Sequence, residues 1–302
     1  MLPQTAKSEN EGYMADKILT IKITDKTEYP TKVICSAFNK TNEIILDLSE
    51  LNNYETEKEI FDFLRNYYCT KISEIKEKVY LTAKLELKRL IAIGDIHGEI
   101  DRLNNLLEKL NPTKQDRLVF LGDYIDRGKD SVAVVDRLLK LKEQTNCNFL
   151  EGNHEQLFLK ALSTLSEEDV ANCMVNGGAK TLKDYLLMKK EDFEKFKTHM
   201  KFFRSLEMIY INDFFVFVHA GINPFKTLTQ QKYDDLIWIR DDFINNKLKI
   251  AKWGYKVIFG HTVFDEPFVS DNKIGINTGC GVVENALLTA YICNENKFVQ
   301  SD

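Results

Sequence analysis

The sequence predicts an α/β fold whose polar residues gather at the ends of its strands, and two patterns carry that prediction. Five times an apolar run of strand length ends in a glycine or directly in a side chain able to bind a metal. The runs are 90–93 before Gly94-Asp95, 118–121 before Gly122-Asp123, 149–150 before Gly152-Asn153, 214–218 before His219, and 257–259 before Gly260-His261. Continuously apolar strands are those buried on both faces of a sheet. Helical patterns lie between several of them: Leu103, Leu106, Leu107 and Leu110 at i, i+3, i+4 and i+7, then 132–141, then 157–165. Open α/β sheets build their sites at the carboxyl ends of strands, and glycine lets the backbone turn sharply there.

Taken in order, residues 1–16 are polar and aperiodic, contain a second methionine at Met14, and read as a disordered leader. Three short segments rich in β-branched residues follow, at 18–23, 31–35 and 43–48, and read as strands. Over 56–81, Ile60, Phe61, Leu64, Tyr67, Tyr68, Ile72 and Ile75 recur among charges at helical spacing, and Thr56 with Glu59 can close a capping box. The predicted organisation is therefore the leader, a small βββα appendage over 17–88, and a catalytic domain over 89–302.

The 302 residues are 44% hydrophobic and 29% charged, a globular balance that excludes a disordered or collagen-like chain. The longest apolar stretches fall far short of the roughly 20 residues a spanning helix needs. The N-terminus also lacks the apolar core of a signal peptide, so the chain reads as cytoplasmic with no membrane partner. Six cysteines, Cys35, Cys69, Cys147, Cys173, Cys280 and Cys293, show no Cys-x-x-Cys spacing and fit reduced thiols. A net charge of −5 gives no electrostatic footprint for nucleic acid.

The five strand ends collect Asp95, His97, Asp123, Asn153, His154, His219 and His261, including four of the chain's five histidines. Carboxylate, imidazole and amide oxygen form a mixed N/O set of borderline hardness, suited to Mn²⁺, Fe or Zn²⁺. That many ligands exceeds the needs of one tetrahedral ion and suits two metals roughly 3.5–4 Å apart, an arrangement used for in-line displacement at phosphorus. Other readings are weaker. The stretch from Gly122 to Lys129 has its glycines one residue too far apart for a phosphate-binding loop, and Asp130 stands where Ser or Thr should hold Mg²⁺. No cysteine has an arginine six residues on, as cysteine-dependent phosphatases require. His199 lies in a polar-apolar helical segment and reads as a surface histidine, and Phe214–Phe217 as core.

Five motifs then resemble those of the phosphoprotein phosphatase family of dinuclear metallophosphoesterases. They are Gly94-Asp95-Ile96-His97-Gly98, Gly122-Asp123-Tyr124-Ile125-Asp126-Arg127-Gly128, Gly152-Asn153-His154-Glu155, His219-Ala220-Gly221 and Gly260-His261-Thr262. The resemblance covers about two thirds of the chain, not the first 88 residues, and implies a four-layer α/β/β/α sandwich. It implies Asp95, His97 and Asp123 on one metal and Asp123, Asn153, His219 and His261 on the other, with a metal-bridging hydroxide attacking phosphorus in line. His154 would protonate the leaving oxygen and Asp126 would hold its ring. Arg127 and Arg240, the latter in Trp238-Ile239-Arg240, would clamp phosphoryl oxygens together with Asn153.

Two departures bear on the branch. Many members carry an arginine just before Gly-Asn-His-Glu, where this chain has Glu151, which would repel phosphate unless turned away. Ile276-Asn277-Thr278-Gly279-Cys280-Gly281 resembles the Ile-Asp-Thr-Gly-Cys stretch of bacterial-type members, with Asn277 for Asp, and the segment from Asn176 to Leu182 resembles another. The expectation is a bacterial-type serine/threonine protein phosphatase that uses two divalent ions, Mn²⁺ first and Fe or Zn²⁺ as alternatives, on a phosphorylated protein. A symmetrical dinucleoside polyphosphate hydrolase is the rival of the same chemistry, and a catalytically silent phospho-partner module the rival of another class.

Overall fold

A computed structural model describes residues 22–23, 32–37, 40–45, 89–212, 214–247, 255–270 and 272–302. The chain divides into two compact units, Met1–Glu86 and Leu87–Asp302. In the first, β1 (Lys22–Ile23), β2 (Lys32–Ala37) and β3 (Lys40–Ile45) form an antiparallel sheet in that order. The leader over 1–16 and the amphipathic helix over 56–81 lie outside the described residues.

The second unit holds two five-stranded sheets. One is ordered β13-β12-β4-β5-β6, with β4 (Leu90–Ile93), β5 (Arg117–Phe120) and β6 (Asn146–Phe149) parallel, and with β12 (Thr289–Ile292) and β13 (Lys297–Gln300) added antiparallel. The other is ordered β10-β11-β9-β8-β7, in which β8 (Phe215–Val218), β9 (Lys256–Phe259) and β11 (Lys273–Gly275) run parallel between antiparallel β7 (Ile209–Ile211) and β10 (Phe268–Ser270).

Strand alternation explains the layering, because successive side chains point to opposite faces. On β4, Leu90 and Ala92 join Val119, Phe217, Ile258 and Ile274 in a core shared by the two sheets. Ile91 and Ile93 face the other way, into a core with Leu103 and Leu107 of α1 (Ile100–Leu110), Val135 and Leu138 of α2 (Ser131–Gln144) and Phe158 of α3 (Asn153–Thr164). Beyond them α4 (Glu167–Cys173), α5 (Ala179–Leu186) and α6 (Phe193–Arg204) extend the same layer. The second sheet's outer residues, Val216, Val218, Val257 and Phe259, pack on Ile237 of α7 (Tyr233–Trp238) and Phe243 of α8 (Asp241–Ile244). The order is helices, sheet, sheet, helices. No helix among the described residues is long and apolar enough to cross a membrane.

Local differences from the sequence reading have plain causes. β6 reads Asn-Cys-Asn-Phe and is an edge strand, so its polar start hides it from an apolar-run search. The core reading of the phenylalanine cluster holds for Val216 and Phe217, but Phe214 precedes β8 and is 37% exposed. His199 is buried, not on the surface: α6 turns it inward with Met200, Phe202 and Phe203. Its Nδ1 accepts from the Tyr185 hydroxyl at 2.8 Å, and its Nε2–H donates to Asp136 at 2.9 Å, so both ring nitrogens are satisfied away from any site. Replacing His199 with Ala leaves the Tyr185 hydroxyl unpaired, which should cost about 1–3 kcal/mol. Thermal melting should register the loss while Mn²⁺ binding stays unchanged; an unaltered melting temperature would contradict this role.

Candidate metal centre

Because β4, β5 and β6 run parallel, as do β8, β9 and β11, their carboxyl ends fall on one edge of each sheet. Asp95, Asp123, Asn153, His219 and His261 follow those ends and are all buried. The ligand atoms of His97, Asp123 and His154 lie within 4.8 Å of one another, as do those of Asp123, His219 and His261, so Asp123 belongs to both groups. His154 occupies the first group in place of Asp95. Asp95 instead faces His261, whose N–H donates to its Oδ2 at 2.9 Å.

The backbone that holds these residues is strained. His97, Asp123, Asp126, Arg127 and His261 adopt φ of 46°, 52°, 72°, 66° and 58°, a region that costs non-glycine residues about 1–3 kcal/mol each and persists only where the surroundings over-determine it. Here they do. The N–H groups of Ile96 and His97 both donate to the Asp123 carbonyl, at 3.0 and 2.8 Å. Glu155, on the first turn of α3, accepts from the N–H groups of Gly152, Asp123 and Tyr124 at 3.0, 2.9 and 2.8 Å. Gly122 sits at φ 104°, and a Cβ there would meet the Gly152 nitrogen at 2.6 Å, so only glycine allows the second and third motifs to touch.

Do these residues fit cations? His219 Nδ1–H donates to the Leu121 carbonyl at 2.8 Å, which leaves its Nε2 a bare acceptor, 3.0 Å from Asn153 Oδ1. His97 Nδ1–H likewise donates to the Ile125 carbonyl at 3.1 Å, so its Nε2 is an acceptor too, met in this structure by Arg127 Nη1–H at 3.3 Å. Asp95 Oδ1 and His261 Nε2 are buried with no partner among the described residues. Burial lowers the pKa of His97 to about 3 and of His261 to about 2, and lowers that of His219. Neutral imidazoles are the metal-binding form. Burial raises the Asp123 carboxyl, but His219, His154, His97 and His261 outweigh it and hold the group below the usual range. Burial and then Asp123 push Asp95 up. Bare acceptors crowded round two buried carboxylates are what divalent cations satisfy, so the donor set fits.

Beside the cluster a cavity of about 330 Å³ is lined by His97, Asp123, Asn153, His154, Arg127 and Arg240. His261, Trp238, Asn176, Thr262, Val263 and Val282 complete its wall among the described residues. His154 Nδ1–H donates to Asp126 Oδ2 at 2.7 Å, leaving Nε2 for chemistry. Arg127 is seated by the segment before α5, its N–H donating to the Gly177 carbonyl at 3.2 Å and its Nε to Asn176 O at 3.4 Å. Arg240 donates to the His261 carbonyl at 3.4 Å. Glu151 does not line the cavity; it turns to Tyr233, whose hydroxyl donates to it at 3.0 Å.

A family model for calcineurin-like phosphoesterases matches residues 88–298. The chain belongs to that family. Among relatives of this phosphoesterase, the asymmetrical bis(5'-nucleosyl)-tetraphosphatase PrpE of Oceanobacillus iheyensis is 28% identical, covering 68% of this chain and 89% of the relative. Serine/threonine-protein phosphatase 2 of Escherichia coli K12 is 30% identical over 64% of this chain and 88% of the relative. A solved structure of a candidate diadenosine tetraphosphatase superposes with a TM-score of 0.53 at 22% identity, over 70% of this chain and 92% of the other, and shares the fold.

The phosphoesterase also uses residues to which the sequence reading gave no role. Glu155 ties the second and third motifs together, and its signal was its place inside Gly-Asn-His-Glu. Ser131 and Thr181 receive the Asp126 N–H at 3.0 and 3.2 Å, a pairing across 50 residues that no spacing announces. Thr262 brings to the cavity wall a buried hydroxyl with no partner among the described residues.

Proposed function

We propose that this phosphoesterase is a metal-dependent phosphomonoesterase acting on phosphoserine and phosphothreonine of proteins. The observation that carries the reading is the cavity, in which the ligand cluster, the His154–Asp126 pair and two arginines converge. Asp95, His97 and Asp123 would hold one cation, and Asp123, Asn153, His219 and His261 the other. When bound, the two ions polarise a phosphoryl oxygen and lower the pKa of bound water. Arg127 and Arg240 donate to the remaining phosphoryl oxygens as charge builds on them. His154 delivers a proton from Nε2 to the leaving oxygen, and Asp126 fixes the tautomer and stabilises the charged ring.

The walls support that substrate class. Among the described residues, Arg127 and Arg240 are the cationic side chains lining the cavity, a complement suited to one phosphoryl group, and Val263, Val282 and Trp238 set apolar surface beside the polar Asn176 and Thr262, a mixture suited to a peptide. A four-phosphate chain would bring several further charges to valines. The second reading, a dinucleoside tetraphosphate hydrolase, is supported by the similarity to PrpE, which is the asymmetrical type and not the symmetrical one expected from the motifs.

Two measurements test this. Chelation should abolish hydrolysis of a chromogenic phosphate monoester and Mn²⁺ should restore it, whereas full activity of protein shown by elemental analysis to be metal-free would exclude the dinuclear reading. Assayed with Mn²⁺ present, kcat/KM should favour phosphopeptides over diadenosine tetraphosphate by at least about tenfold. The reverse ratio would select the nucleotide reading, and phosphopeptide binding without turnover the silent module.

A further inference from the structure

The parallel strands end six times at the site, not five, because β11 also runs beside β9 in the same direction. Two residues beyond it stands Asn277, 2% exposed. Its backbone is pinned: the carbonyl accepts from Phe264 N–H at 3.0 Å, and the preceding Ile276 N–H donates to Phe259 O at 2.9 Å. Its side chain is pinned as well. The Gly279 N–H, which can only donate, meets Oδ1 at 3.0 Å, so the amide must turn Nδ2 the other way. There Nδ2 donates to Asp95 Oδ2 at 2.7 Å.

Asp95 Oδ2 is thereby held by two donors, Asn277 Nδ2 and the His261 N–H, while Oδ1 is buried without a partner among the described residues. Gly260 leaves room for that free oxygen, since a Cβ there would lie 2.1 Å from it. One oxygen anchored and one bare is the arrangement of a carboxylate prepared to give a single oxygen to a cation. Outer-shell donors of this kind orient ligands and are worth about 10–100-fold in metal affinity.

We propose that Asn277 is a positioning residue that fixes the Asp95 carboxylate for the cation it shares with His97, an inference that rests on the two-metal reading above. The bacterial-type stretch that this segment resembles has aspartate here. In this chain that residue would set a carboxylate oxygen against Asp95 Oδ2 at the position where Nδ2 now donates. The amide makes the contact attractive, and the two cation sites then differ in what supports them, because Asn277 bonds Asp95 directly and reaches the other site only through the His261 N–H that shares Asp95 Oδ2.

The test is calorimetric titration of the metal-free full-length chain with Mn²⁺, alongside electron paramagnetic resonance of the bound ion. Wild-type protein should take up two ions per chain. Asn277→Asp and Asn277→Leu should weaken one site by about 10–100-fold and the other by several-fold less, because the other site meets Asn277 only through the His261 N–H on the shared Asp95 Oδ2. At one equivalent of Mn²⁺ both variants should give the spectrum of an isolated ion. Affinities unchanged at both sites, or weakened in step at both, would overturn the assignment, since a merely structural role has no reason to choose one site. Should the Leu variant fail to fold, the Asp variant keeps the Gly279 acceptor and nearly the same volume, and it carries the test alone. Absence of Mn²⁺ uptake by the wild-type chain would instead remove the two-metal reading, and the inference with it.

Discussion

Replacing Asp123 with Asn is expected to lower metal occupancy and activity together, and by more than any other single exchange at the site. Asp123 is the carboxylate common to both groups of ligand atoms, and it is 2% exposed. Its charge offsets the cations, and its two oxygens can serve both at once, with Oδ2 3.6 Å from His97 Nε2 and Oδ1 3.5 Å from His219 Nε2. An amide keeps the shape but loses the charge, and it turns two N–H bonds toward one ion. The loss in affinity should therefore exceed the about 10–100-fold that removing an outer-shell partner costs. Elemental analysis after dialysis, together with turnover of a chromogenic phosphate ester, checks it. Two ions retained at the wild-type rate would show that the bridge lies elsewhere.

Most of the catalytic unit was legible because its strands are short, apolar and punctuated. Runs such as Leu90–Ile93 are buried on both faces, so no alternation blurs them, and each stops at a residue whose chemistry has no reason to follow a hydrophobic core. The helical stripe of α1 could be read for the same reason, with Leu103, Leu106, Leu107 and Leu110 all turned inward. What was not legible depended on the third dimension. α3 begins at Asn153, four residues before the periodicity starts at Leu157, because its first turn carries Asn153, His154 and Glu155 in place of apolar residues. His199 looked superficial because polar and apolar residues mix around it, and only the packing of α6 on Tyr185 shows otherwise. Glu151 could be recognised as a departure, but not its partner, since Tyr233 lies 82 residues away. Asn277 was visible only as a substitution in a motif; its meaning required Asp95, 182 residues distant, to be placed against it.

His154 poses the sharpest question of role, because its ring lies within reach of the same ligand atoms as His97 and Asp123, yet its Nδ1 is committed to Asp126 at 2.7 Å. A ligand and a proton donor respond differently to the same change. His154→Asn removes the titratable nitrogen but leaves Asp95, His97 and Asp123 in place, so metal content should hold at two ions. Turnover of a phosphopeptide should fall by about 10²–10⁴-fold, the range for general acid catalysis. The departing serine oxygen is strongly basic and needs a proton as its bond to phosphorus breaks, whereas nitrophenolate leaves readily without one. The variant should accordingly lose much less activity on p-nitrophenyl phosphate than on the phosphopeptide. Equal losses on both substrates, accompanied by loss of one ion, would make His154 a ligand and return the proton to another donor at the cavity wall.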